Sequence, residues 1–265
     1  DAIFSLGNVF YFGELSLGYF AYPFTIVAVL AAINAYNMVD GIDGLIGGVS
    51  VATFTSLAIL FSLSGYNDEA FFCLLCLAVL IPYLLYNLQL IKLSRKKIFM
   101  GDAGSMFIGF TVVWLLAIGS QANSLSEFNS SPAFKPVVAL WLIALPLIDM
   151  ASIMLRRIGK GISPFQADRD HLHHIFMRAG FSSRATLGFI TIIAFLLGFV
   201  GILATIYNIP EWIQLVAFLA LFFTYKFSLS RIWRLLKVHR KAKAYKRLMK
   251  RKYYKNNNNT GNKSA

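Results

Sequence analysis

The chain has 265 residues, of which 57% are hydrophobic and 14% charged, and a formal net charge of +13. A soluble globule of this size carries roughly 25% charged residues, so that class is excluded. The apolar residues come in continuous rather than alternating runs, which selects membrane helices over a closed barrel.

In chain order, residues 1–18 are apolar but broken by Gly7, Gly13 and Gly18, and read as an extracytoplasmic or interfacial segment. The chain begins at Asp1 with neither Met nor a signal peptide, which reads as an N-terminally truncated fragment. Seven spans follow: Tyr19–Ala35, Gly48–Leu63, Ala70–Leu90, Ser105–Ser120, Val137–Leu155, Thr186–Ile206 and Trp212–Leu229. Each approaches the roughly 20 apolar residues that a crossing needs. The expected fold is therefore all-α, a polytopic membrane helical bundle. Cys73 and Cys76 fall inside the third span. A redox pair or metal site needs thiolate and water access, so two small hydrophobes are the better reading.

Charge fixes the expected orientation. Of the 25 Lys and Arg residues, Lys135 alone falls in the set of connections made by Ser64–Glu69, Gln121–Pro136 and Tyr207–Glu211. The other set, loops 37–47, 91–104 and 156–185 with the tail, holds the rest, counting Lys226 just inside the end of the last span, and is cytoplasmic by the positive-inside rule. This divides the chain into a membrane-embedded domain, residues 1–229, a basic juxtamembrane tail, 230–255, and a polar, disordered end, 256–265. Residues 231–255 carry 12 Lys or Arg interleaved with aromatic and aliphatic side chains. Beside seven spans, such a segment is expected to bind anionic lipid at the inner leaflet, not nucleic acid.

The cytoplasmic loops concentrate polar chemistry. The first reads Asn34-Ala-Tyr-Asn37-Met-Val-Asp40-Gly-Ile-Asp43-Gly. Asn34 and Asn37 lie one turn apart on one helix face and can project oxygen ligands at a helix end with free carbonyls. D-G is also ordinary turn chemistry, but two amides and two carboxylates at a membrane boundary favour a site. The second loop reads Phe99-Met-Gly-Asp102-Ala-Gly-Ser105. A helix starting there aims its N–H groups at an anion such as phosphate. Asp102 would repel phosphate unless a divalent cation, Mg²⁺ or Mn²⁺, lay between them; the plainer alternative is that Asp102 caps the helix. The third region sets Asp149 near the end of the fifth span, before Arg156 and Arg157, and continues through Asp168-Arg169-Asp170-His171-Leu-His173-His174. Asp149 either pairs structurally with a loop arginine or acts directly. Three histidines without a nearby cysteine fit structural zinc poorly and suit diphosphate or sugar hydroxyls better.

Together these motifs resemble the polyprenyl-phosphate N-acetylhexosamine-1-phosphate transferases. N-A-Y-N-M-V-D-G-I-D-G-L, F-M-G-D-A-G-S and S-P-F-Q-A-D-R-D-H-L-H-H-I-F-M-R-A-G-F carry the resemblance, which spans about Asn34 to Phe181. The histidine stretch is similar to the branch that takes UDP-GlcNAc and undecaprenyl phosphate, and differs from the branch that takes UDP-MurNAc-pentapeptide. The resemblance implies transfer of GlcNAc-1-phosphate with release of UMP, at the start of O-antigen or related envelope glycan synthesis, in a bacterial inner membrane. It implies the last seven of about eleven helices, a cytoplasmic C-terminus and a possible homodimer. Asp102 matches the metal-binding acid and Asn37 an amide near the metal. Asp43 and Phe99 match positions that hold uracil, and Asp40 an acid needed for activity. Arg169, His171, His173 and His174 match the loop that meets diphosphate and sugar, with Asn34, Arg156 and Arg157 as further substrate-binding candidates. The family's adjacent Asp-Asp pair does not occur in this sequence, so the expectation is that the chain alone is inactive. A phospho-MurNAc-pentapeptide transferase, or another amino-sugar donor, is the alternative within this chemistry. A transporter is less favoured, because the span interiors carry no charge except near their cytoplasmic ends.

Overall fold

The structure is a computed structural model that describes residues 2–90, 97–121, 131–164, 171–229 and 231–232. Arg169, Asp168, Asp170, the basic tail beyond Ile232 and the 256–265 end lie outside the described residues. Nine helices are described: α1 Ala21–Val39, α2 Leu45–Leu63, α3 Asn67–Asn87, α4 Gly101–Ser120, α5 Pro136–Leu142, α6 Ala144–Ile158, α7 Leu172–Ala179, α8 Ser183–Ile206 and α9 Glu211–Leu229. Six are long and apolar enough to cross a bilayer, or seven if α5 and α6 form one span. The protein is an all-α, multi-pass membrane bundle.

Helix α2 is its centre. Ile46, Val49, Leu57, Leu60 and Phe61 are fully buried on it, with α1, α3, α4 and α8 packed around. The outer helices are apolar on the outside too: Phe71, Leu74 and Val79 of α3 and Ile192, Leu196 and Phe199 of α8 are exposed. Such faces are stable only in lipid.

The fifth span departs from expectation. It is not one helix: α5 and α6 meet at an angle of 82°, with Ile143 between them. Pro146 explains the break. It has no N–H to return to the carbonyl of Leu142, four residues back, and its ring disfavours a continuous helix there. An orphaned carbonyl inside a membrane is costly. The Thr53 hydroxyl, from the middle of α2, fills the vacancy with a 3.2 Å bond to Leu142 O. Thr53 Oγ1 also lies 2.7 Å from the Tyr36 hydroxyl. With the Thr53 proton given to a carbonyl, Tyr36 is the donor of that bond.

Other boundaries shift by a turn. Helix α1 runs on to Val39, so Asn37 is helical, and α4 starts at Gly101, so Asp102 belongs to its first turn. The third loop contains a helix of its own, α7, which opens on the histidines.

The connections sort to two ends. At one end Tyr66 OH donates to Ser131 O at 2.7 Å, and Gln121 bonds the backbone of Phe4 and Ser5 at 3.0 Å. Residues 2–17 form a hairpin there, closed by Leu6 N–H to Leu15 O at 2.9 Å. The other end gathers the polar motifs. Contacts divide the chain into units Asp1–Phe222 and Phe223–Ala265; within the second, the Arg231 guanidinium lies 4.1 Å from the Phe227 ring centroid.

Candidate active site

The site begins with the packing of α1 against α4. A Cβ at Gly109 would lie 2.8 Å from Ile33 Cα and 3.0 Å from Ala32 O, so a side chain there would hold the two helices apart. Because it is glycine, their backbones touch. About one turn further along α1, Asn37 Nδ2 donates to Asp102 Oδ1 at 3.2 Å and to Ser105 Oγ at 3.0 Å. Asp102 therefore does not cap its helix: the N-cap residue is Met100, without a side-chain cap bond.

Beyond Val39 the chain turns tightly, with Gly41 N–H on Val39 O at 2.7 Å. The turn presents Asp40 and Asp43. The Asp40 carboxyl is pushed above its ordinary range, first by desolvation and then by the charges of Asp102 and Asp43. Asp43 accepts from the Lys97 ammonium, which also lies 5.9 Å from the centroid of the Phe99 ring. Phe99 is 70% exposed. The strand of chain carrying Lys97 and Phe99 is pinned between them, where buried Asn87 donates to Ile98 O at 2.7 Å.

The histidines arrive on α7. Buried Asp149 of α6 receives both the ring of His171, at 3.0 Å from Nδ1, and the Leu172 N–H, at 3.2 Å. This positions the first turn of α7, where a negative charge also suits the helix dipole. His171 and His173 rings stack with centroids 5.7 Å apart, and His173 and His174 lie 4.2 Å apart. The His173 ring closes on the first loop: a Cβ at Gly41 would fall 2.1 Å from His173 Nε2. Burial, with help from His174 and His171 and against the pull of Asp149, drives the His173 pKa down to about 4. His173 is therefore an uncharged ring at neutral pH.

One end of the bundle thus brings together Asn37, Asp40, Asp43, Phe99, Asp102 and the three histidines. Arg157 is buried in the last turn of α6 and donates to Pro164 O, bracing the loop that leads to the histidines; Arg156 stands beside it. Asn34 bonds back to Leu30 O of its own helix at 2.7 Å. Sequence reasoning did not single out Lys97, Ser105 or Asn87, nor the histidine partner of Asp149. For Lys97 a signal existed, since it closes the Arg95-Lys96-Lys97 run two residues before Phe99.

The donor chemistry fits a hard divalent cation. The available groups are oxygens: the Asp102 and Asp40 carboxylates and the Asn37 amide. Among the described residues no group of three or more His, Cys, Asp or Glu forms a cage. Mg²⁺ commonly uses one or two carboxylates and completes its shell with water and substrate phosphate.

Comparison with known proteins gives the family. Glycosyl transferase family 4 matches residues 2–120. The chain is 48% identical over 93% of its length to the undecaprenyl-phosphate alpha-N-acetylglucosaminyl 1-phosphate transferase of Yersinia pestis, covering 65% of that protein. It is 46% identical to the protein of that name from Escherichia coli K12, with the same coverage. It is 41% identical over 92% of its length to the Haemophilus influenzae protein of that name, covering 67% of it. The chain spans 65% of the length of the first two relatives, just under two thirds. With α1 to α4 inside the family match and a 41% identical relative covered over 67% of its length, the chain belongs to glycosyl transferase family 4.

Proposed function

We propose that this chain carries the site that transfers GlcNAc-1-phosphate from UDP-GlcNAc to undecaprenyl phosphate, releasing UMP. The observation that carries the reading is the meeting of two pairs, Asn37 with Asp102 and Gly41 with His173, from three separate segments at one end of the bundle. The names of the relatives supply the sugar and the acceptor.

A phosphate monoester has a second pKa near 6, so the acceptor is largely dianionic at neutral pH. Its oxygen attacks the sugar-bearing phosphorus of the donor. The bond from that phosphorus to the bridging oxygen breaks, and the electron pair leaves with UMP. The product is GlcNAc-diphosphate-undecaprenol. Such transfer rests on positioning and on charge, and the chain supplies both. Phe99 and Asp43 take the base by stacking and hydrogen bonding. Asp102 and Asn37 are the residues that would hold Mg²⁺ or Mn²⁺. Bound there, the cation would supply neutralising charge for the diphosphate. His171 gives Nδ1–H to Asp149 and keeps Nε2 for the sugar or diphosphate. His174 belongs to the same contact, to which Arg169 is assigned by its motif alone, and His173 closes it against the first loop. Asp40, whose proton affinity burial raises first and its acidic neighbours raise further, stands beside the transferred group.

The same reading sets this end at the cytoplasmic face of a bacterial inner membrane, with the C-terminus on that side. One substrate then comes from water and the other stays in lipid with its headgroup at the surface. The basic tail holds anionic lipid there.

The test is an assay of membranes containing the complete gene product, in a host lacking its own enzyme of this kind. Labelled UDP-GlcNAc and Mg²⁺ should yield UMP only when undecaprenyl phosphate is added. Release without the lipid phosphate, or none with it, would overturn the reading. UDP-GalNAc and UDP-MurNAc-pentapeptide serve as competing donors.

A further inference from the structure

We propose that Lys97 determines specificity for a nucleotide over a nucleoside: its ammonium fills the slot between Asp43 and Phe99 and exchanges the Asp43 carboxylate for the diphosphate when the base enters. This rests on the reading of Asp43 and Phe99 as the base site.

Three observations lead there. The ammonium contacts the Asp43 carboxylate and lies 5.9 Å from the Phe99 centroid, so one cation engages both groups that a base would use. Lys97 and Phe99 are two residues apart in a non-helical stretch, and alternate residues of extended chain share a side. Asn87, 2% exposed, fixes the backbone between them through Ile98 O. The Lys97 side chain is still 32% exposed, so its terminal atoms have room to leave while their base stays fixed.

Chemistry sets the direction of the exchange. A base stacked on Phe99 and bonded to Asp43 displaces the ammonium. Lysine is a compact point charge with three donors on a flexible four-carbon stem. Displaced from Asp43, it is available to pair with the anion that arrives with the base. A nucleoside breaks the ion pair and returns nothing; a nucleoside diphosphate breaks it and offers a new partner. The same cation offsets the repulsion between incoming phosphate and the acidic turn.

The experiment measures binding of uridine and UDP to the purified complete gene product, without divalent cation, by calorimetry. It compares wild type with Lys97→Met and Lys97→Arg, and a thermal melt reports folding of each. The expected result is that Lys97→Met weakens UDP about tenfold while uridine binds as well or more tightly, collapsing the preference. Lys97→Arg, which keeps the charge, should preserve it. Equal losses for both ligands, or no change in their ratio, would overturn the assignment of Lys97 alone. Failure of the folded wild type to bind either ligand would overturn the base site and the Lys97 role together.

Discussion

Asp149 holds His171 from beneath: one carboxylate oxygen lies 3.0 Å from the ring Nδ1, and the other accepts the N–H of the next residue. A single buried acid therefore sets both the tautomer of the ring and the start of its helix. Removing one partner of a buried, charge-assisted bond costs about 1–3 kcal/mol or more. Asp149→Ala is expected to lower the melting temperature and the rate together. Asp149→Asn can still accept the Leu172 N–H but no longer stabilises the donor form of Nδ1. It should reduce kcat about tenfold or more with little change in KM for UDP-GlcNAc. A larger effect on KM than on kcat would count against this role.

Asp102→Asn keeps the volume and removes the charge. Loss of one key electrostatic group lowers rates by about 10² or more, and the complete gene product should fall by at least that much. Near-normal turnover with unchanged dependence on Mg²⁺ would remove Asp102 from the site.

Gly109 lies one turn along α4 from Ser105 and carries no polar side chain into the site, yet a Cβ there would press on Ile33 and Ala32 backbone atoms at 2.8 and 3.0 Å. Overpacking of this kind costs about 1–3 kcal/mol. Gly109→Val should destabilise the protein and, by parting α1 from α4, stretch the Asn37–Asp102 contact. Turnover per folded molecule is the measurement, and it should drop; a variant that melts earlier but turns over normally would show that the contact tolerates the displacement.

The pH response of His173 has a definite sign. Its folded pKa is about 4 against an ordinary 6.5. Between those values the unfolded chain binds a proton that the folded chain does not, so stability falls as pH drops through that window. Above 6.5 the ring is neutral in both states and contributes no slope. Asp40 has the opposite sense: its pKa is raised, so its contribution is lost as pH rises through the folded value. Melting temperatures at intervals from pH 7 to 4.5 should decline less steeply in His173→Asn than in wild type. Parallel curves would contradict the assignment.

Thr53→Val should leave the Leu142 carbonyl and the Tyr36 hydroxyl unpaired inside the bundle, at a cost of about 1–3 kcal/mol. Tyr36→Phe removes a donor while leaving Thr53 on the carbonyl, and should cost less. The two melting temperatures decide the order.

Helices were readable because lipid imposes one rule on every span, a long apolar run. The break between α5 and α6 was not, although Pro146 was in view. Proline near the start of a helix and proline at a kink look alike in sequence, and the receiving hydroxyl, Thr53, comes from a different span. Asn37 and Asp102 stood out as polar groups at span ends, and the fold sets them 3.2 Å apart. Lys97 was hidden by its neighbours: a basic run beside a span already has an explanation in membrane orientation. Asp149 was visible, but its partner depended on where α7 docks, which no local pattern encodes.

The imidazole of His173 rests against the backbone of Gly41, two positions separated by about half of the chain. During synthesis the acidic turn leaves the ribosome long before the helix that closes over it. A nascent chain halted before α7 would leave the carboxylates without their cover. Completion of this corner is thus a late event in biogenesis, reached only after α1 to α6 have emerged.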